Sequence, residues 1–180
     1  MNYLKLFILL PALILFSCEN EIPEEDVFNN PLDEEEVSYE TPALTFYPVD
    51  ISIPLGSSQS VDVFVLGVEN LAGSHVRLSY DKTKLQVLSM SVGGLFTDAT
   101  QAPIFIAEDD AANGVVDINT SFLGSDSVSV SGTGSLASIV FTSTSDGASS
   151  LVFDSSCEFV DPNDSPIEIK GFGEGVVNAL

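Results

Sequence analysis

The sequence predicts an all-β domain, a β-sandwich of about nine strands, and three observations carry that prediction. Ser, Thr, Val and Gly dominate residues 43–180, and no long stretch carries helical periodicity. Short β-rich runs recur between turn signals along the same segment. The clearest run is residues 70–88, NLAGSHVRLSYDKTKLQVL. A strand with one buried face needs apolar residues at every second position. Val76, Leu78 and Tyr80 alternate in that way with His75, Arg77 and Ser79. Asp81, Lys82 and Thr83 turn the chain, and Leu85 and Val87 restart the alternation.

The chain opens differently. Lys5 precedes an apolar run over residues 6–16 that only Pro11 interrupts. A bilayer span needs about 20 apolar residues, whereas a signal-peptide core needs about 7–15. Residues 1–17 therefore read as a signal peptide. The run ends in Leu15-Phe16-Ser17-Cys18, which resembles a bacterial lipobox. The resemblance implies acylation of Cys18 and cleavage before it. Several buried acyl chains anchor a protein firmly, at about 0.8 kcal/mol per CH₂. Residues 18–42 read as an acidic, unfolded tether. Ten of the 24 residues from 19 to 42 are Asp or Glu and none is Lys or Arg. Pro23, Pro31 and Pro42 break any helix, and self-repulsion keeps such a segment extended.

Residues 43–180 are long enough for one domain with a core. They hold 17 acids against four bases, Arg77, Lys82, Lys84 and Lys170. That balance excludes nucleic acid, whose phosphates need Lys and Arg. It also excludes peripheral binding to anionic lipid, leaving the Cys18 anchor as the only membrane contact. With Cys18 acylated, Cys157 is alone and no intramolecular disulfide forms. It reads as a small, mostly buried side chain near a strand end.

The strands follow in order. Residues 44–55 make a first strand bent at Pro48 and Pro54, which suits a sheet edge. Gly56-Ser57-Ser58 turns, and residues 61–66 are apolar on both faces. The two strands of the 70–88 run come next. Gly93-Gly94 breaks the pattern, and residues 103–107 form a short apolar strand. Asn113-Gly114 is a hairpin turn signal. Val116, Ile118 and Thr120 then face inward, with Asp117, Asn119 and Ser121 outward. Residues 124–134 read as a polar loop and 136–142 as a strand. Asp146-Gly147 turns, and residues 151–153 and 167–177 finish the set.

Residues 73–87 also resemble the cohesin family, whose third and fourth strands carry a G-x-x-h-x-h-x-Y-D-x-x-x-L-x-V signature. Further resemblances lie in Gly56 followed by VDVFV, in SGTGSLASIVF over residues 131–141, and in LVFDSSCEFVDPNDSPIEI over residues 151–169. Together they span about residues 44–178 in order. Membership would imply a nine-stranded jelly-roll sandwich, close in fold to carbohydrate-binding modules. It would also imply an extracellular, non-catalytic binding role, with a dockerin-bearing protein as partner and a link to polysaccharide breakdown.

In that family the partner lies on an outward face built from strands three, five, six and eight. By the resemblance, His75 occupies a strand-three position where type I cohesins often carry an acidic recognition residue. Arg77 and Ser79 share its face, and Asp117, Asn119 and Ser121 sit beside it on strand six. Phe122 and Leu123, at the strand's end before Gly124, are the best candidates for exposed apolar contacts, with simple burial at the sandwich rim as the stronger alternative. Such a polar face serves either a partner or the solvent.

Other chemistries are poorly supplied. Asp161-Pro-Asn163-Asp-Ser165 begins like an EF-hand loop, but Pro166 and Phe172 stand where that loop needs Gly and Glu. It reads as a turn, and no metal or cofactor is expected. His75 is the only histidine, and no serine lies in G-x-S-x-G. Nothing pairs two carboxylates across a cleft as a glycosidase needs. No catalytic residue is expected. A sugar-binding strip needs flat aromatic rings. The chain has no Trp, and its domain offers only Tyr47 and Tyr80, the latter pointing inward. The expectation is a lipid-anchored module of the bacterial cell envelope, at the outer membrane or cell surface, that docks an extracellular protein. Carbohydrate binding and a structural or adhesive role are the alternatives.

Overall fold

The computed structural model describes residues 39–97, 99–123 and 128–180. Cys18, the apolar run before it and most of the acidic segment lie outside the described residues. The strands are β1 (Ala43–Tyr47), β2 (Asp50–Ile53), β3 (Ser58–Leu71), β4 (Gly73–Ser79), β5 (Leu85–Val92), β6 (Ile104–Asp110), β7 (Val115–Ser121), β8 (Val130–Ser143), β9 (Gly147–Phe153), β10 (Glu158–Val160), β11 (Pro166–Ile167), β12 (Gly171–Phe172) and β13 (Gly175–Ala179). A single helical turn, α1 (Gly94–Thr97), follows the Gly93-Gly94 break.

Two sheets result. The first runs β12–β1–β3–β8–β5. In the second, β6 pairs β7, β7 covers one edge of β4, and β10 and β9 share its other edge. The sheet continues from β9 to β13 and β2. One core lies between the sheets. Leu44, Phe46, Val63, Ile139 and Phe141 enter it from the first sheet, and Val76, Leu78, Ile118, Leu151 and Phe159 from the second. Each such side chain contributes about 1.5–3 kcal/mol by leaving water. The architecture is a β-sandwich.

All nine expected segments contain strand, but the chain cuts them more finely, into thirteen strands among the described residues. The first expected strand divides at Pro48 into β1 and β2, which belong to different sheets. Only β2 lies at an edge, whereas β1 sits between β12 and β3. The expected polar loop over residues 124–134 is too long at its C-terminal end. β8 already begins at Val130 and pairs with β3, through two register shifts between Val65 and Leu71. Bulges of this kind let polar, glycine-rich sequence stay in a ladder.

Residues 61–66 are apolar on both faces for a local reason. Val61, Val63 and Val65 face the core. Phe64 and Leu66 point to the outside of the first sheet, where Tyr39 and Val49 cover them together with Ala43. The chain therefore reaches the domain across the outside of the first sheet.

Candidate functional site

The outer face of the second sheet gathers most of the expected site residues. On β4 the inward residues Val76 and Leu78 are 1 % exposed, so the pleat turns His75, Arg77 and Ser79 outward. On β7, Val116, Ile118 and Thr120 are buried, which turns Asp117, Asn119 and Ser121 to the same side. The ladder sets His75 opposite Asn119 and Arg77 opposite Asp117. Across the other edge of β4, His75 stands opposite Glu158.

Asp117 is the hub. Arg77 Nη1 donates to its Oδ2 at 3.0 Å and its Oδ1 at 3.2 Å. His75 Nε2 lies 3.2 Å from the same Oδ1. The other ring nitrogen, Nδ1, lies 3.2 Å from the carbonyl oxygen of Ser156. A His–Asp pair is thus present, but the imidazole's second contact is a backbone carbonyl and not a nucleophilic hydroxyl or thiol. The triad logic needs a nucleophile there.

The Ser156 carbonyl is presented by a break in the sheet. Between β9 and β10 the chain leaves the edge of β4 for Asp154–Cys157. The Asp154 amide still donates to the Arg77 carbonyl at 2.8 Å. Cys157 Sγ then takes over as acceptor for the Arg77 amide at 3.3 Å. The Ser156 hydroxyl and amide, with the Arg77 guanidinium farther off, hold the Asp154 carboxyl below the usual carboxylate range. Burial pushes the Cys157 thiol up, so it is not a reactive thiolate.

Exposed apolar residues on two strands escaped the sequence reading. Ile104 and Ile106, 42 % and 54 % exposed, stand outward on β6 beside Ser121 and Asn119. Val152, 38 % exposed, stands outward on β9 opposite Ser79. Residues 103–107 are apolar throughout, so alternation alone hides which side is buried. The hairpin gives the answer. Counting back across an even-length turn at Asn113-Gly114 puts Ile104 and Ile106 on the face of Asn119 and Ser121. A shallow groove of about 220 Å³ lies over Gly73 and His75 on β4, between Asn119 and Ser121 on β7 and Glu158 and Val160 on β10. A Cβ at Gly73 would stand 2.9 Å from Val160 Cγ2.

The two expected anchors behave differently. Phe122 does not join the face, because its half-buried ring packs on Phe96 at 5.6 Å at the rim of the core. Leu123 is 61 % exposed beyond the end of β7. The Asp161 segment is a turn: the Asp161 Oδ1 accepts the amides of Asn163 at 2.7 Å and Ser165 at 2.9 Å. Those bonds hold its carboxyl below the usual range.

The cohesin-domain family model matches residues 50–179. The chain belongs to the cohesin family. Among solved structures it is similar to the sixth cohesin of scaffoldin B from Acetivibrio cellulolyticus, solved in complex with a Cel5 dockerin mutant. That likeness has 19% identity, a TM-score of 0.67, and coverage of 77% of this chain and 99% of that one. It is also similar to a non-cellulosomal cohesin from the hyperthermophilic archaeon Archaeoglobus fulgidus, at 18% identity and TM-score 0.64 over 78% of this chain and 92% of that one. A cohesin of a type I cohesin–dockerin complex from Clostridium thermocellum matches at 16% identity and TM-score 0.64, covering 78% of this chain and 100% of that one. No curated protein matches the chain by sequence.

Proposed function

We propose that this cohesin is a non-catalytic docking module that holds a dockerin-bearing protein on the outer face of its second sheet. The observation behind this reading is the makeup of that face. A charged hub of Arg77, Asp117 and His75 lies between exposed apolar residues, Ile104 and Ile106 on one flank and Val152 on the other. Apolar anchors beside a pinned polar cluster are what an interface uses for affinity and register. Cohesins of this fold have been solved with dockerins bound. None of the face's outward side chains named above is a Phe, Tyr or Trp, the flat rings on which sugars stack, which favours a protein over a sugar as ligand.

The wider role follows as part of the same proposal. An acylated Cys18 and the acidic segment would hold the module at the cell envelope, and the partner would be an enzyme of polysaccharide breakdown acting in trans. The packing of Tyr39 on the first sheet supports this arrangement, because the chain then arrives on the side opposite the docking face. No helix among the described residues is long and apolar enough to cross a membrane.

A pull-down from the source organism's secreted and envelope fractions, with and without calcium, tests the docking. Recovery of dockerin-bearing proteins only with calcium is the expected result, with loss of the catch in the His75→Ala, Asn119→Ala double variant. An empty pull-down under both conditions contradicts it. Palmitate labelling that disappears in Cys18→Ala tests the anchor.

A further inference from the structure

We propose that His75 makes this docking face pH-sensitive: the partner surface is basic, and a proton on His75 weakens its binding. The inference rests on the docking reading above and deepens it. Both ring nitrogens of His75 face acceptors, Asp117 Oδ1 and the Ser156 carbonyl, each at 3.2 Å. A neutral imidazole donates from one nitrogen only, whereas an imidazolium donates from both. In the neutral ring one lone pair must face an oxygen. Protonation removes that conflict and lets both nitrogens donate.

The surroundings set the sign of the effect. Arg77 is the cation that accompanies His75 on β4. Asp117 faces it from β7, Glu158 from β10, and Asp154 from the break between β9 and β10. Glu108 on β6 stands opposite Asp117. With His75 neutral, one cation is set against four carboxylates. Such a face selects a partner carrying Lys or Arg. A proton on His75 removes one unit of that negative charge and sets a cation against the partner's own. A bound basic partner disfavours the imidazolium, so affinity falls as pH falls through the imidazole's titration.

Attribution is clean. Histidine is the side chain whose ordinary titration falls between pH 5 and 8, and His75 is the only one in the chain. Among the described residues Cys157 is the free thiol, and burial pushes it upward, away from that range.

The test is isothermal titration of the full chain with a calcium-loaded dockerin recovered in the pull-down, at pH 7.5 and 5.5 and low salt. Wild type is expected to bind about three- to tenfold more weakly at pH 5.5. His75→Gln should bind equally at both pH values, and His75→Lys should bind weakly at both. Long-range ¹⁵N spectra of the single imidazole should show both nitrogens protonated at pH 5.5. Binding that ignores pH, tightens in acid, or keeps its pH dependence in His75→Gln overturns this inference and leaves the docking reading intact. Absence of binding at both pH values overturns the two together.

Discussion

Arg77 and Cys157 hold each other at the one point where the edge of β4 changes partner. The Arg77 amide donates to Cys157 Sγ at 3.3 Å, and the thiol lies 3.4 Å from the Arg77 carbonyl. A side chain thus completes a backbone ladder that the break between β9 and β10 would leave open. The same break presents the Ser156 carbonyl to His75. A thiol that looks spare in the sequence therefore supports the residues on both sides of the site.

Removal of that thiol has a defined consequence. Cys157→Ala leaves the part-buried Arg77 amide without its sulfur acceptor and leaves a small void. It is expected to lower stability by about 1–3 kcal/mol, read as a shift in the urea midpoint with unchanged slope. An unchanged midpoint would show that water or a neighbour replaces the sulfur.

Tyr80 gives stability a limit at high pH. Its hydroxyl donates to Asp109 Oδ1 at 2.8 Å. Burial, and then that hydrogen bond and the charges of Asp109 and Asp110, push the phenol far above its ordinary value. The unfolded chain therefore loses this proton first. The contribution is whole below an ordinary phenol pKa of about 10 and is lost as pH rises above it. Urea titrations from pH 8 to 11 should show wild type weakening above pH 10 and Tyr80→Phe weakening less.

The acid limit works in the opposite sense. Asp161 is held low by the Ser165 and Asn163 amides, and Asp81 by the Thr83 hydroxyl and amide. Depressed carboxylates stabilise the fold above their unfolded value of about 4, and the benefit disappears as pH falls through the depressed values. Asp161→Asn keeps an acceptor oxygen in the turn but does not titrate. Its urea midpoint should fall less than that of wild type between pH 4 and 2. Parallel curves would remove Asp161 from the acid transition.

On the docking face, Ile104→Ala with Ile106→Ala separates binding from folding. Both side chains are about half exposed, so their truncation should change stability by less than about 1 kcal/mol. Dockerin affinity should fall about fivefold or more, as truncation of interface anchors does. Calorimetry beside a thermal melt reads both quantities. Retained affinity would move the contact away from β6.

Much of this arrangement is legible in the sequence. The facing of β4 and β7 follows from alternation alone, because Val76, Leu78, Val116 and Ile118 are separated by polar residues. Period two fails where both sides of a strand are apolar. Residues 61–66 cover a second small cluster, and residues 103–107 leave two isoleucines outside, and neither pattern says which face is which. The bond between Asp117 and both His75 and Arg77 depends on register, which a tight turn signal fixes and residue spacing does not. Phe122 takes the rim-burial alternative for a related reason: it lies just past the end of β7, where the pleat no longer dictates direction, and Phe96 from α1 receives its ring.

The most direct test of the central claim is hydrogen exchange of the chain with and without a calcium-loaded dockerin. Alongside it, NMR shift mapping would follow residues on both outer faces. Docking on the second sheet should perturb His75, Arg77, Asp117, Asn119 and Ile106 and leave Ser60 and Ser138 on the first sheet unchanged. Perturbation centred on Ser60 and Ser138, with the His75–Asp117 hub unchanged, would contradict the account.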